Sequence, residues 1–189
     1  MGFTRAELES YRDAVIDDLM PEHPLLVFVG INPGLWTAAT NAPFARPGNR
    51  FYPALAAAGV IPYIPALSEA FTDDDRRMLQ GRGIGISSIV RRATARADEL
   101  SCAELREGAV RLERDAARWR PRVVAVLGIT AYRQAFARPR AVAGRQPETL
   151  AGAELWVVPN PSGLNAHDTV ATLAEAYAGP ARAAGILPA

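Results

Sequence analysis

Four short apolar segments, with helix-like stretches between them, constrain the fold of this chain more than any other feature. They are LLVFVG (25–30), GIGISSIV (83–90), RVVAVLG (122–128) and AELWVVP (153–159). Continuous apolar runs of this length are typical of strands that are buried on both faces of a parallel sheet. Because helical patterns alternate with these runs, we predict an α/β fold with a mostly parallel sheet covered on both faces.

Capping signals place the helices. Thr4 and Glu7 have capping-box spacing before a helical pattern that ends at Pro21, and Ser101 with Glu104 opens a helix to about Trp119. Further helices are predicted at 50–58 after Asn49, 72–80, 130–137 and 168–178. We predict one domain over residues 1–189, with an N-terminal helix within 1–22, a surface loop or hairpin at 138–147 and a C-terminal tail at 179–189.

Composition excludes several classes of protein. The single cysteine, Cys102, rules out an internal disulfide, and one cysteine with two histidines cannot form a standard structural zinc site. The net charge of +1 gives no global basic field, and no apolar run reaches the roughly 18 residues of a membrane span. We therefore expect a soluble cytoplasmic protein without metal, cofactor or membrane contact. A monomer is the plain expectation for its size, although the sequence does not show the oligomeric state.

The chain contains no lysine, since all 21 of its basic residues are arginine. A lysine Schiff base and the lysine of a phosphate-binding P-loop are therefore excluded.

Two Asn-Pro elements directly follow predicted strands: NPG at 32–34 and NPSG at 160–163. Each element alone is a common turn sequence. Because ligand sites in such sheets lie beyond the carboxyl ends of the strands, we expect the two loops to face each other across one site.

Four segments together carry a family resemblance: GINPGL (30–35), PFARPGNRF (43–51), GISSIVRRAT (85–94) and VPNPSGL (158–164). In these segments, over residues 25–178, the chain resembles the mismatch-specific uracil-DNA glycosylases and their thymine-DNA glycosylase relatives. The resemblance implies a three-layer α/β/α fold with a central, mostly parallel four-stranded sheet. It also implies nucleoid-associated base-excision repair, in which a mispaired base is flipped out of double-stranded DNA and its N-glycosidic bond is hydrolysed.

The resemblance assigns roles to the residues around the base. Asn32 positions the water that attacks C1′, while the main chain near Ile31 and Phe44 reads the pyrimidine edge. Phe44 offers a stacking face for the base, and Asn160 lies beside the base and stabilises it. Because an amide does not titrate near neutrality, Asn32 is no strong general base, and we expect slow chemistry on a dissociative path.

Other residues are assigned to the DNA. Leu164, between Gly163 and Asn165, is a suitable wedge to fill the space that the flipped base leaves. The arginines in or beside these loops are candidate phosphate contacts: Arg46, Arg50, Arg91 and Arg92.

Some positions depart from the family pattern. Thr37, next to Trp36, offers a hydrogen bond to the pyrimidine where relatives often carry small residues. Ser88 is counted among the base-binding residues, although serine there leaves catalytic strength open. His167 follows the wedge and is a candidate for a phosphate contact or for a helix cap.

Three alternatives remain at this point. One is a lesion-binding protein of the same fold with weak or lost excision. A serine hydrolase using Ser162 or Ser88 with His167 would lack the G-x-S-x-G elbow. A dinucleotide site would lack the G-x-G-x-x-G spacing. Uracil opposite guanine is the expected substrate, while ethenocytosine, thymine opposite guanine and hypoxanthine stay open.

Overall fold

The computed structural model describes residues 2–66 and 71–188. Its centre is a sheet with the strand order β2-β1-β3-β5-β4. The strands are β1 (Leu26–Gly30), β2 (Ile84–Ser88), β3 (Val123–Leu127), β4 (Gly144–Leu150) and β5 (Ala153–Val158). β2, β1, β3 and β5 are parallel, and β4 runs antiparallel to β5. The predicted α/β fold is confirmed, with five strands rather than four.

The additional strand is β4, and it overlaps the segment 138–147 that was predicted as a surface loop or hairpin. β4 forms a hairpin with β5 through Ala151 and Gly152, whose φ angles are 48° and 88°. Two positive φ angles are the signature of the type I′ turn, which matches the twist of paired strands. Pro147 is tolerated in β4 because this strand lies at the edge of the sheet.

Helices cover both faces of the sheet. They are α1 (Arg5–Glu9), α2 (Leu35–Thr40), α3 (Phe51–Ala57), α4 (Asp73–Gly81), α5 (Cys102–Trp119), α6 (Ile129–Ala135) and α7 (Val170–Ala183). α3, α4 and α7 pack on the face that carries Phe28, while α5 and α6 pack on the face that carries Val27 and Val29. None of the helices in the described ranges is long and apolar enough to span a membrane.

Two helix boundaries differ from the prediction at the chain's ends. α7 continues to Ala183 with Pro180 inside it, so part of the predicted tail is helical. At the other end, the helix predicted up to Pro21 stops at Glu9, although the capping box of Thr4 and Glu7 is present.

Tertiary pairing explains why the N-terminal helix is short. Asp13 has a φ of 65°, which breaks the helix, and its N–H donates to Ala93 O at 2.9 Å. Further along, Leu19 and Ile86 exchange both backbone hydrogen bonds, at 2.9 and 2.7 Å. The segment therefore covers the free edge of β2, whose backbone groups would otherwise be unpaired.

Candidate active site

A cleft of about 410 Å³ opens at the carboxyl ends of the parallel strands. Gly30, Ser88 and Leu127 come from the ends of β1, β2 and β3, and loops form the walls. The predicted residues that line the cleft are Ile31, Asn32, Thr37, Phe44, Arg46, Ser88, Asn160, Leu164 and Asn165. The two Asn-Pro loops thus share one cleft, whose volume is typical of a small-molecule site.

The carboxamide of Asn32 is held in one orientation. Its Nδ2 donates to Thr94 Oγ1 at 2.7 Å, to Arg92 O at 3.0 Å and to Pro33 O at 3.2 Å. Rotating the amide by 180° would place Oδ1 against two backbone carbonyls, so the network fixes the assignment. Oδ1 accepts no hydrogen bond from the described residues and is not buried, so it is free to bind water.

Thr94 is a functional candidate that the sequence analysis missed, although it lies within the quoted segment 85–94. It is 1% exposed, and its Oγ1 donates to Arg96 O at 2.7 Å while accepting from Asn32. Its N–H also donates to Pro33 O at 3.2 Å, which fastens the Asn-Pro-Gly turn. Nothing in its local sequence signals this role, since the contact joins residues 62 positions apart.

Asn160 differs from Asn32 because the nitrogen of its carboxamide, and not the oxygen, is free. Its Oδ1 accepts from Ser162 N at 2.9 Å, which leaves Nδ2 without an acceptor among the described residues and in reach of solvent. Gly128 lies between the two loops, where an added Cβ would be 3.7 Å from both Ile31 Cδ1 and Asn160 Cβ. The cleft therefore offers a free acceptor at Asn32 and a free donor at Asn160.

Phe44 adopts a left-handed backbone conformation, with φ of 59°, which is uncommon outside glycine. Its ring packs on Phe51 with 4.2 Å between the centroids, and it closes over Gly30. A Cβ at Gly30 would lie 3.2 Å from Phe44 Cζ, so a small residue is needed at the end of β1. The half-buried ring reaches the cleft, as the stacking prediction requires.

Two buried tyrosines anchor the residues that precede the site. Tyr52 Oη donates to Pro43 O at 2.8 Å, and Tyr177 Oη donates to Pro159 O at 2.9 Å. Burial raises the pKa of both phenols well above the usual value, so both remain donors at physiological pH. Each tyrosine therefore fixes the carbonyl directly before the loop that carries Phe44 or Asn160.

Three polar groups in the cleft lining lack partners within the described residues. The hydroxyls of Thr37 and Ser88 accept and donate no hydrogen bond there, and Trp36 Nε1 is buried without an acceptor. Thr37 belongs to α2, a helix that the sequence analysis did not predict.

The arginines divide into two groups, and only one of these faces the cleft. Arg46 is exposed at the mouth with no ion-pair partner in residues 2–66 and 71–188. Arg96, whose side chain is 72% exposed and pairs with Asp98, also lines the cleft and was not predicted. These two are the arginines that line the cleft.

The prediction that Arg50, Arg91 and Arg92 contact phosphate is not supported. Arg92 donates to Asp13 at 2.7 Å and to Glu104 at 2.8 Å, and Arg91 pairs with Asp18. Arg92 contacts the site through its main chain, because its carbonyl oxygen accepts the hydrogen bond from Asn32 Nδ2.

The guanidinium of Arg50 is likewise engaged, because it donates to the carbonyls of Ser162, Asn165 and Asp168. These carbonyls belong to the segment 160–168, here called the wedge loop. The guanidinium of Arg50 therefore binds this loop and does not point into solvent as a free charge.

Leu164 stands out at the tip of the wedge loop, because 82% of its surface is exposed. Next to it, a Cβ at Gly163 would lie 3.0 Å from Gly48 O, so this residue allows two loops to touch. His167 is exposed and outside the cleft lining, and its N–H donates to Asn165 Oδ1 at 3.1 Å.

The lining of the cleft, as far as the chain is described, contains no Asp, Glu, His or Cys. Nor do the described residues include a group of three such side chains that could hold a metal ion. The ionisable residues of this lining are two arginines, so the site offers hydrogen bonds and positive charge rather than a titrating acid or base.

Comparison with known proteins agrees with this architecture. The chain is similar to the solution NMR structure of a candidate uracil DNA glycosylase from Methanosarcina acetivorans, with a TM-score of 0.52. Identity is 16%, and the match covers 88% of this chain and 98% of that chain, which is a likeness of fold. The profile of the Uracil DNA glycosylase superfamily matches residues 17–178. Since this match spans the whole sheet and every wall of the cleft, the chain belongs to the uracil DNA glycosylase superfamily.

Proposed function

We propose that this protein is a monofunctional DNA glycosylase of the mismatch-specific type, which hydrolyses the N-glycosidic bond of uracil opposite guanine in base-excision repair. One observation carries the proposal: the two carboxamides that face the cleft present opposite ends. Asn32 keeps its oxygen free, and Asn160 keeps its nitrogen free. In a hydrolytic site the free oxygen can hold the attacking water, and the free N–H can stabilise a departing anion.

In the proposed reaction the base is flipped into the cleft and stacks on Phe44. Asn32 Oδ1 accepts a hydrogen bond from the attacking water and directs the water's oxygen to C1′. The C1′–N bond breaks with its electron pair on the base, and the water oxygen bonds to C1′. The water's proton passes to solvent, because an amide does not take it.

Charge stabilisation replaces general-base catalysis in this site. With no carboxylate in the described lining, bond breaking runs ahead of water attack, and negative charge develops on the base. Asn160 Nδ2 and the positive charge of the cleft arginines stabilise that negative charge. Without lysine, no ε-amine can attack C1′, so the product is an abasic site in an intact strand.

The preference for uracil opposite guanine follows from the cost of extrusion. A mismatched base needs less energy to leave the stack than a paired one. The exposed Leu164 then fills the vacated space. We place this activity in the cytoplasm, at the nucleoid.

The test is single-turnover incubation with labelled duplexes that contain G·U, A·U or G·T, and with single-stranded uracil, followed by alkali. We expect cleavage of G·U, and a fall of about 100-fold or more in Asn32→Ala, the range seen when one aligned catalytic group is removed. Gln80→Ala is the matched control, since it deletes an exposed carboxamide outside the cleft.

Wild-type activity in Asn32→Ala would refute the role of Asn32. No cleavage of any duplex, with salt-sensitive DNA binding retained, would instead favour the lesion-binding alternative.

A further inference from the structure

Arg50 makes an unusual set of contacts for an arginine beside a DNA-facing loop. Its Nη2 donates to Ser162 O and Asn165 O, both at 2.6 Å, and its Nη1 donates to Asp168 O. Its backbone N–H also donates to Pro161 O at 3.0 Å. Four hydrogen bonds thus run from this one residue to the wedge loop.

The two carbonyls bound by Nη2 flank the tip of the loop. Ser162 and Asn165 stand on either side of Gly163 and Leu164, so a single nitrogen bridges the base of the tip. Bonds from a charged donor are roughly twice as strong as neutral ones. The bridge holds the tip in one shape although Leu164 itself packs on almost nothing.

The other hydrogen bonds of the loop tip run within the loop itself. Asn165 Nδ2 donates to Asn160 O at 3.0 Å and to Asp168 Oδ2 at 2.7 Å, which closes the loop on itself. The contact of Gly163 with Gly48 adds backbone packing but no hydrogen bond. Arg50 therefore links the wedge loop to α3, whose buried residues belong to the core packed on the sheet.

We propose that Arg50 is a positioning residue that holds the wedge loop in its insertion-ready shape before DNA arrives, and that it does not act as a phosphate contact. The inference rests on the proposed function, because it assigns Leu164 to the flipping step. Fixing the loop in advance removes the cost of ordering it when the base is extruded. Arg50 should therefore matter for duplex substrates and not for a base that is already unpaired.

Arg50→Lys tests the proposal because it keeps the positive charge and removes the planar fork. An ammonium on a flexible stem cannot bridge the same carbonyls, whereas it serves well enough as a phosphate contact. We expect single-turnover excision from G·U duplex to fall by about 10-fold or more, and excision from single-stranded uracil to stay within about twofold. The slope of log K against log salt should not change.

Two comparisons sharpen the result. Arg140→Lys is the matched control, because Arg140 is exposed and outside both the cleft and the wedge loop. In a double variant with Leu164→Ala, the loss should equal that of Leu164→Ala alone, since Arg50 acts through Leu164. A loss that is fully additive would overturn the proposal, as would an equal loss on single-stranded uracil.

A measurement that needs no excision keeps the test separate from the proposed activity. The amides of Ser162, Leu164, Asn165 and His167 all donate hydrogen bonds within the wedge loop. Hydrogen exchange should find them protected in the wild-type protein and exchanging at least tenfold faster in Arg50→Lys. Unprotected wild-type amides would overturn the proposal even if no variant folds. Amides that are protected in the wild type and exchange faster in Arg50→Lys, in a protein that excises nothing, would support the role of Arg50 in the wedge loop and refute the proposed glycosylase activity.

Discussion

Thr94→Val probes whether the orientation of Asn32 is set by its surroundings. Valine matches threonine in shape but removes the hydroxyl that accepts from Asn32 Nδ2 at 2.7 Å. The two carbonyls of Arg92 and Pro33 remain as acceptors, so the amide keeps its orientation with less support. We therefore expect partial loss of activity, in contrast to Asn32→Ala.

The magnitude follows from the bonds that are lost. One hydrogen bond contributes about 0.5–1.5 kcal/mol net, which corresponds to roughly 2- to 12-fold in rate if it acts on Asn32 alone. A second hydrogen bond is lost as well, because the Thr94 hydroxyl, in a residue that is 1% exposed, no longer donates to Arg96 O, which keeps only the bond from Glu99 N at 3.3 Å. Stability should therefore fall by about 1–3 kcal/mol.

Single-turnover rates on G·U duplex and on single-stranded uracil check this prediction, at a temperature well below the melting point of the variant. Both rates should fall by the same factor, because Thr94 affects the chemical step and not base flipping. Thr94→Ser, which retains a hydroxyl, should recover most of the rate. An unchanged rate in Thr94→Val would show that the two carbonyls alone orient Asn32, and a loss as large as in Asn32→Ala would show that water is held by Thr94 itself.

Two further predictions concern charge. Arg46→Ala and Arg96→Ala should each reduce the slope of log K against log salt for duplex binding by about one, with Arg140→Ala as the control, and an unchanged slope would remove these arginines from the DNA interface. The pKa of Glu104 is lowered by the backbone hydrogen bond from Ser101 and then by Arg92, so its stabilising effect is present above the unfolded pKa of about 4.3 and lost as pH falls through the folded value. Denaturant unfolding of Glu104→Gln should accordingly depend less on pH below about 4.3 than that of the wild type, while equal dependence would contradict the assignment.

The parallel part of the fold could be predicted because its signals are local. Buried strands such as 122–128 are continuous apolar runs, and the capping boxes at Ser101 and Thr72 occur where the helices begin. The errors arose where distant pairing decides the structure. Residues 13–19 have helical spacing but pair with β2 and its following loop, and β4 is mostly polar because it lies at an edge.

The position of the site was also predictable, because parallel strands bring their carboxyl ends to one edge. What the sequence could not reveal is the partner of each charged side chain. With 21 arginines and 20 acidic residues, many pairings are possible, and the fold selects among them. Arg92 is bound by Asp13 and Glu104, whereas Arg96, only four residues away, stands at the mouth of the cleft.

The backbone around position 32 explains why an amide occupies it. The turn directs two backbone carbonyls, those of Arg92 and Pro33, at the inner atom of this side chain. A carboxylate would place negative oxygen against both carbonyls, and only Thr94 could supply a donor, at the expense of its bond to Arg96 O. An amide directs its two N–H groups at these three acceptors, with one hydrogen shared, and still leaves its oxygen free. The backbone of two loops thus favours asparagine at position 32. Its Oδ1 is a fixed hydrogen-bond acceptor in the cleft, and the charge of the amide does not change with pH.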